Sequence, residues 1–321
     1  MKILIKGIFA LLLVLFYNST KAQIAGVFTV PGSFPNLAAA INTLNLLGVA
    51  GPVTINVAAG YTETVPVGGL KLNTVPGASA ANPVVFQKSG IGANPLLSAY
   101  SGGTATPTSM IQDGIWMFIG ADFITIDAID LVDPNTTNPA TMEYGYGLYK
   151  GSVTNGCQYN TIKNCVITLR STNTAAGAGT AAGGSRGIEL MTGGATNNYS
   201  SLVVTNISGT NSYNKIYSNV IQKCHVGIAV MGYGSAPSPY TFADQQNDIG
   251  GLTAATGNTV INFGGGGNCD GFGIRTQAQY SFNVSNNYLN NNNGSGTNPS
   301  GFNLYAIRVG TATAASPSIN S

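Results

Sequence analysis

The 321-residue chain carries 13 Lys and Arg, 11 Asp and Glu and a single His, so charged residues are 7% of it, against about 25% in ordinary globular domains. So sparse a charge excludes the basic stripe of a nucleic-acid binder and offers nothing to an anionic membrane surface. A hydrophobic content of 44% excludes a disordered chain.

At the N-terminus, Lys2 and Lys6 precede an apolar run from Ile8 to Phe16, and the small-residue site Thr20-Lys21-Ala22 follows. This is the layout of a cleavable export signal over 1–22. The run is too short to cross a bilayer, which takes about 20 residues, so no transmembrane segment is expected after cleavage; an uncleaved anchor is the alternative. No cysteine precedes Cys157, which excludes a lipid-anchored start. The expected location is therefore secreted or on the cell surface.

Residues 23–83 read as a strand-helix-strand cap. Val27 to Val30 form the first strand and Pro31-Gly32 a turn. Pro35 suits a first helical turn, with Ser33 as the capping candidate. Leu37, Ala40, Ile41, Leu44 and Leu47 follow at helical spacing, and Gly48 and Gly51-Pro52 stop the helix. Val53, Ile55 and Val57 then alternate with polar residues as a half-buried strand does. The helix is expected to cover strand edges that are otherwise open to other chains.

Residues 84–321 read as stacked coils, left unfinished at the C-terminus because Tyr305 to Val309 is still a strand. Two signatures recur. One is Gly before an aliphatic residue, at Gly147-Leu148, Gly187-Ile188, Gly227-Ile228 and Gly273-Ile274, with Ala306-Ile307 as an echo. The other is an Asn-rich strand, at 162–167, 216–221 and 284–289. Self-similarity at this period marks units that bury their apolar faces only against their neighbours. Ile188, Ile228, Ile274 and Ile307 should then form one buried column, and Asn164, Ser218 and Asn286 an amide ladder at left-handed bends. Residues 172–185 and 233–248 are expected as loops, 174–179 being the most flexible.

With Phe34-Pro35-Asn36-Leu37 leading to Ala40-Ile41, then Val53 to Val57 and Gly60-Tyr61-Thr62-Glu63, the chain resembles the right-handed parallel β-helix superfamily, the pectin lyase-like fold. The start is most similar to pectin methylesterase-type helices. The resemblance implies an all-β fold, a right-handed parallel β-helix with an N-terminal capping helix. Chemistry does not follow from it, because function lives in sites grafted on folds. Asp122-Phe123-Ile124 echoes the esterase's aspartate motif but comes too soon after the cap. Asn268-Cys269-Asp270-Gly271 resembles part of a polygalacturonase site that lacks its partners here.

Register suggests more. With the Gly signatures aligned, Tyr149, Glu189, Ala229, Arg275 and Arg308 point outward in one column, with Arg275 and Arg308 about 4.8 Å apart. Two guanidinium groups and an aromatic ring suit an extracellular polysaccharide or surface glycan, by bidentate bonds and stacking; a plain solvated face is the alternative. His225 and Asp270 fall one coil apart and are the weak candidates for a general acid–base pair. Asp127, Asp130 and Asp133 form the densest acidic group, with strand alternation sending Asp127 and Asp130 to opposite sides. No zinc or calcium ligand spacing occurs, so neither a metal nor a cofactor is expected. Export permits disulfides, with Cys224–Cys269 first and Cys157–Cys165 second, or buried thiols instead. Three functions follow: a glycan-binding, adhesin-like surface module; a polysaccharide lyase, glycoside hydrolase or carbohydrate esterase; or a structural stalk.

Overall fold

The computed structural model describes residues 22–103, 113–135, 142–170, 184–194, 197–234, 239–264, 270–291, 303–310 and 319–320. The expected leader lies outside them, except for Ala22, as do 174–179, Cys269 and most of the 172–185 loop. Among the described residues, no helix is long and apolar enough to cross a membrane.

The chain winds through three parallel sheets in a fixed order. One turn runs from Val49–Ala58 in the first sheet to Thr62–Thr64 in the third and Leu70–Asn73 in the second, then back to Val84–Ser89 beside the strand it left. Among the described residues, repetition builds sheets of nine, eight and seven strands, the winding of a parallel β-solenoid. The eighth strand of the second sheet, Asn197–Ser201, is an antiparallel attachment to Arg186–Gly194. A full turn is already present over residues 49–73, ahead of residue 84.

Side-chain alternation builds the core. Ile55, Phe86, Ile126, Ile162, Ile216 and Ile249 lie in register down the first sheet, and Leu97, Leu131, Ile167, Ile221 and Val260 down the third. Stacked like residues fill the interior evenly, at roughly 25 cal/mol for each Å² of apolar surface removed from water. In the second sheet Trp116, Tyr146, Ile188, Ile228, Ile274 and Ile307 are in register. Ile307, expected to be buried, is 46% exposed, its strand pairing on one side only among the described residues.

The helix spans Leu37–Leu47 and buries Leu37, Ala40, Ile41 and Leu44. Its N-cap is Asn36, whose side chain accepts from the Ala39 N–H at 2.8 Å, so Pro35 precedes the helix. Ser33 instead accepts from the Thr29 N–H at 3.1 Å. Glu63, at the third-sheet position ahead of Leu97, accepts from the Leu37 and Ala38 N–H groups at 2.9 and 3.4 Å. A carboxylate is stabilised there by the positive end of the helix.

Asn164, Ser218 and Asn286 do adopt left-handed backbone, with φ of 59°, 52° and 57°, but the amide ladders lie elsewhere. Asn160 Nδ2 donates to Asn214 Oδ1 at 3.1 Å and Asn214 Nδ2 to Asn247 Oδ1 at 3.1 Å. A second ladder joins Asn219, Asn258 and Asn287 at 3.0 and 2.9 Å. Each left-handed bend turns the following residue inward, where an amide can satisfy buried backbone groups of the next coil.

That arrangement accounts for the cysteines. The Cys157 and Cys165 N–H groups donate to Asn211 Oδ1 and Asn219 Oδ1 at 2.9 and 3.1 Å, so Cys165 extends the second ladder while Cys157 contacts a separate asparagine on the other side of Thr161–Lys163. Cys157, Cys165 and Cys224 are free and buried. The expected Cys157–Cys165 bridge is thus replaced by thiols that donate to Tyr149 O and Lys163 O. Cys224 donates to Gln222 O at 3.4 Å, and its expected partner Cys269 lies outside the described residues.

Candidate functional site

The outer face of the second sheet brings together most of the residues singled out from the sequence. Glu189, Ala229, Arg275 and Arg308 share one column, as expected. Tyr149 does not belong to it: Gly147 faces Glu189, while Tyr149 pairs with Met191. Two glycines cause the slip. Gly145 is the inward residue, where a Cβ would lie 2.6 Å from Gly187 O and 2.9 Å from Ile167. Gly147 faces outward beneath the Tyr144 and Tyr149 rings, 2.7 and 2.6 Å from where a Cβ would sit.

Those rings meet edge to face at 5.4 Å and, with Met117, Met191 and Met231, form an apolar cluster on the outside of the sheet. Tyr149 and Glu189, expected on an exposed face, are consequently buried. The Tyr149 hydroxyl donates to one Glu189 oxygen, and Arg186 Nε ion-pairs with the other. Arg186 also donates to Gly184 O at 2.6 Å. Burial, and secondarily the Glu143 carboxylate, hold Glu189 well above the usual carboxylate range.

Polar contacts continue along the coils. Glu143 Oε2 accepts from the Asp113 N–H at 2.8 Å, and Asp113 accepts from the Tyr100 hydroxyl at 2.5 Å and the Gly103 N–H at 2.7 Å. Tyr144 stands between Gly114 and Arg186 in register. Its buried hydroxyl has no hydrogen-bond partner among the described residues. Burial and then the Glu189 charge raise its pKa well above normal. Sequence reasoning missed Tyr144 and Arg186; their signal was the position just before the inward glycine, shared with Val226, Phe272 and Tyr305.

Toward the last coils the face opens. Phe272 and Tyr305 stack at 5.3 Å with planes 9° apart. The Arg275 guanidinium lies 4.7 Å from the Phe272 centroid, and that of Arg308 lies 5.3 Å from Tyr305 and 5.7 Å from Phe272. Arg308 is 43% exposed and sits 3.6 Å from Asp270 Oδ2. Such cation–π contacts contribute about 0.5–1 kcal/mol at exposed sites. They also hold each planar guanidinium against a ring.

His225 and Asp270 are close, but not as an acid–base pair. The buried His225 places Nε2 2.9 Å from the Asp270 backbone carbonyl, while the Asp270 carboxylate serves Arg308 and the Asn303 N–H at 2.8 Å. Asp122 accepts from the Gln158 N–H at 2.6 Å and, among the described residues, bonds to no second acid. No cluster of three or more metal-ligating side chains occurs among the described residues.

No family model matches the chain, and no curated protein matches it. Among solved structures it is similar to an alginate lyase from Paenibacillus sp. str. FPU-7 at 14% identity, with 84% of this chain and 73% of that chain covered and a TM-score of 0.45.

Proposed function

We propose that the protein is an exported glycan-binding module that presents Arg275, Tyr305 and Arg308, backed by the buried Phe272, to an acidic polysaccharide. In this reading residues 1–22 are a cleaved leader, the coils wind right-handed, and helix Leu37–Leu47 caps the first of them. One observation carries the proposal: Arg275 and Arg308 pair directly across adjacent strands and both lie against stacked aromatic rings. Guanidinium groups repeating at strand spacing, about 4.8 Å, can engage carboxylates that recur along a polymer, and the half-buried Tyr305 ring offers apolar surface to sugar C–H groups.

The test is calorimetric titration of the full chain with a polyuronate and with a neutral polysaccharide of similar length. The polyuronate should bind, more weakly as salt rises, and an Arg275→Ala, Arg308→Ala double variant should lose binding without losing its fold. Equal binding by that variant would sink the reading and favour a structural stalk.

A second reading, lyase or hydrolase action on the same polymer, is favoured by the unpartnered, buried Tyr144 hydroxyl beside Arg186 and Glu189. A phenol hydroxyl can act as a general acid, provided that the covered face opens to substrate. Appearance of new chain ends in the polyuronate, lost in Tyr144→Phe, would establish turnover; their absence supports binding alone.

A further inference from the structure

The corner between the first and third sheets holds a notch that the glycan-binding face does not use. Left-handed residues follow strands of the first sheet there: Ala128, Asn164, Ser218, Gly251 and Asn286, with φ between 52° and 69°. In three of them a polar side chain reaches an adjacent coil: Asn164 Nδ2 donates to Asp127 Oδ1 at 2.6 Å, Ser218 Oγ to Ala255 O at 2.9 Å and Asn286 Nδ2 to Gly251 O at 2.9 Å. Ala128 supplies only a methyl group. Beside it is a cavity of about 420 Å³, lined by Gln87, Lys88, Asn94, Asp127, Ala128 and Asn164, within the range of small-molecule sites.

The lining is amphipathic and close to neutral. Asn94 spans it, donating to Asp130 Oδ1 at 2.8 Å and to Asn164 O at 3.3 Å. Asp127 Oδ2 is 3.0 Å from Lys163 Nζ, and Gln87 is in register with Asp127. Two lysines, Lys88 and Lys163, thus face two aspartates, Asp127 and Asp130. The left-handed turn at Ala128 interrupts strand alternation, so Asp127 and Asp130, expected on opposite sides, both serve this corner.

We propose that this notch binds a neutral, hydroxyl-rich sugar unit. Sugar hydroxyls both donate and accept, which suits a wall of amides and carboxylates, and the sugar's C–H face fits the Ala128 methyl floor. Balanced charge gives an anion no advantage, which separates this site from the arginine face. The two sites share no residue, so either can fail alone.

The experiment is saturation-transfer NMR on the full chain with xylo-, manno- and cello-oligosaccharides, and with an oligouronate as control. Ala128→Asn adds a polar side chain on a residue that tolerates left-handed backbone, as Asn164 and Asn286 do, and so fills the notch while preserving the fold. At least one neutral oligosaccharide should bind saturably, about tenfold more weakly in Ala128→Asn, a loss of about 1.4 kcal/mol. Asn94→Ala should weaken it as well, while polyuronate binding stays unchanged in both variants. Absence of saturable binding by all three neutral series, or equal binding by Ala128→Asn, overturns the proposal, as does an oligouronate that displaces them at lower concentration.

Discussion

Tyr149 and Glu189 are two residues out of register along their strands, yet the Tyr149 hydroxyl donates to the Glu189 carboxyl group. The side chain recovers across Gly147 what the backbone pairing does not provide. Because Arg186 takes the other oxygen, Glu189 is held from both sides. Tyr149→Phe should therefore destabilise the protein by about 1–3 kcal/mol, the cost of leaving a buried polar group without its donor. Chemical denaturation checks this, and a change below about 0.5 kcal/mol would show that the hydroxyl contributes little.

Charge alone should not reproduce the arginine face. Arg308→Lys keeps a cation beside Asp270 but loses the planar guanidinium that lies 5.3 Å from the Tyr305 ring. Polyuronate affinity should fall by about three- to tenfold, less than for Arg308→Ala. Titration of the three proteins at one ionic strength gives the order wild type, Lys, Ala; a Lys variant equal to wild type would mean that recognition is purely electrostatic.

Asp122 gives a pH signature. Burial raises its pKa to about 6, opposed by the bond from the Gln158 N–H. A raised carboxyl pKa means that the folded state binds the proton more tightly than the unfolded chain does. Its stabilising contribution is complete below the unfolded value near 3.8 and is lost as pH rises through about 6. Asp122→Asn keeps an acceptor for Gln158 and removes the titration. The wild type should lose about 1–3 kcal/mol relative to this variant between pH 4 and 7, as read by denaturant unfolding at several pH values; parallel profiles would contradict the shift.

The middle of a ladder should be its most sensitive rung. Asn214 accepts from the Asn160 backbone and side chain at 3.0 and 3.1 Å and donates to Cys157 O and Asn247 Oδ1 at 2.9 and 3.1 Å. Asn214→Ala should cost about 3 kcal/mol or more, since several buried groups lose partners together. Ser218→Ala, at the exposed bend, should cost under about 1 kcal/mol. Comparable losses in the two variants would remove the distinction between buried ladder and surface bend.

Thiol reactivity tests the cysteine arrangement. Burial pushes the Cys157, Cys165 and Cys224 thiols up to about 12, so none presents a reactive thiolate at neutral pH. Native protein should leave these three unmodified by a thiol reagent, and denatured, unreduced protein should expose Cys157 and Cys165 for labelling. Recovery of a peptide linking those two would contradict the ladder assignment.

The amino-acid sequence by itself determined the coils. Alternating aliphatic residues and recurring Gly and Asn can satisfy burial and backbone pairing only by stacking, which placed Ile188, Ile228 and Ile274 in one column and Arg275 beside Arg308. Tertiary structure decided everything that depends on which of two equivalent local choices packs better. Gly145 and Gly147 are alike in sequence, and only the room beside Ile167 selects the inward one. Likewise, nothing local distinguishes Asn164 from Asn160, or tells the Asp270 carboxylate to take Arg308 and leave the His225 ring to a backbone carbonyl. Those outcomes depend on left-handed bends that redirect the next side chain and on partners from neighbouring coils, tens of residues away. The notch at Ala128 has the same origin: an alanine lines a cavity only where the adjacent coils supply the walls.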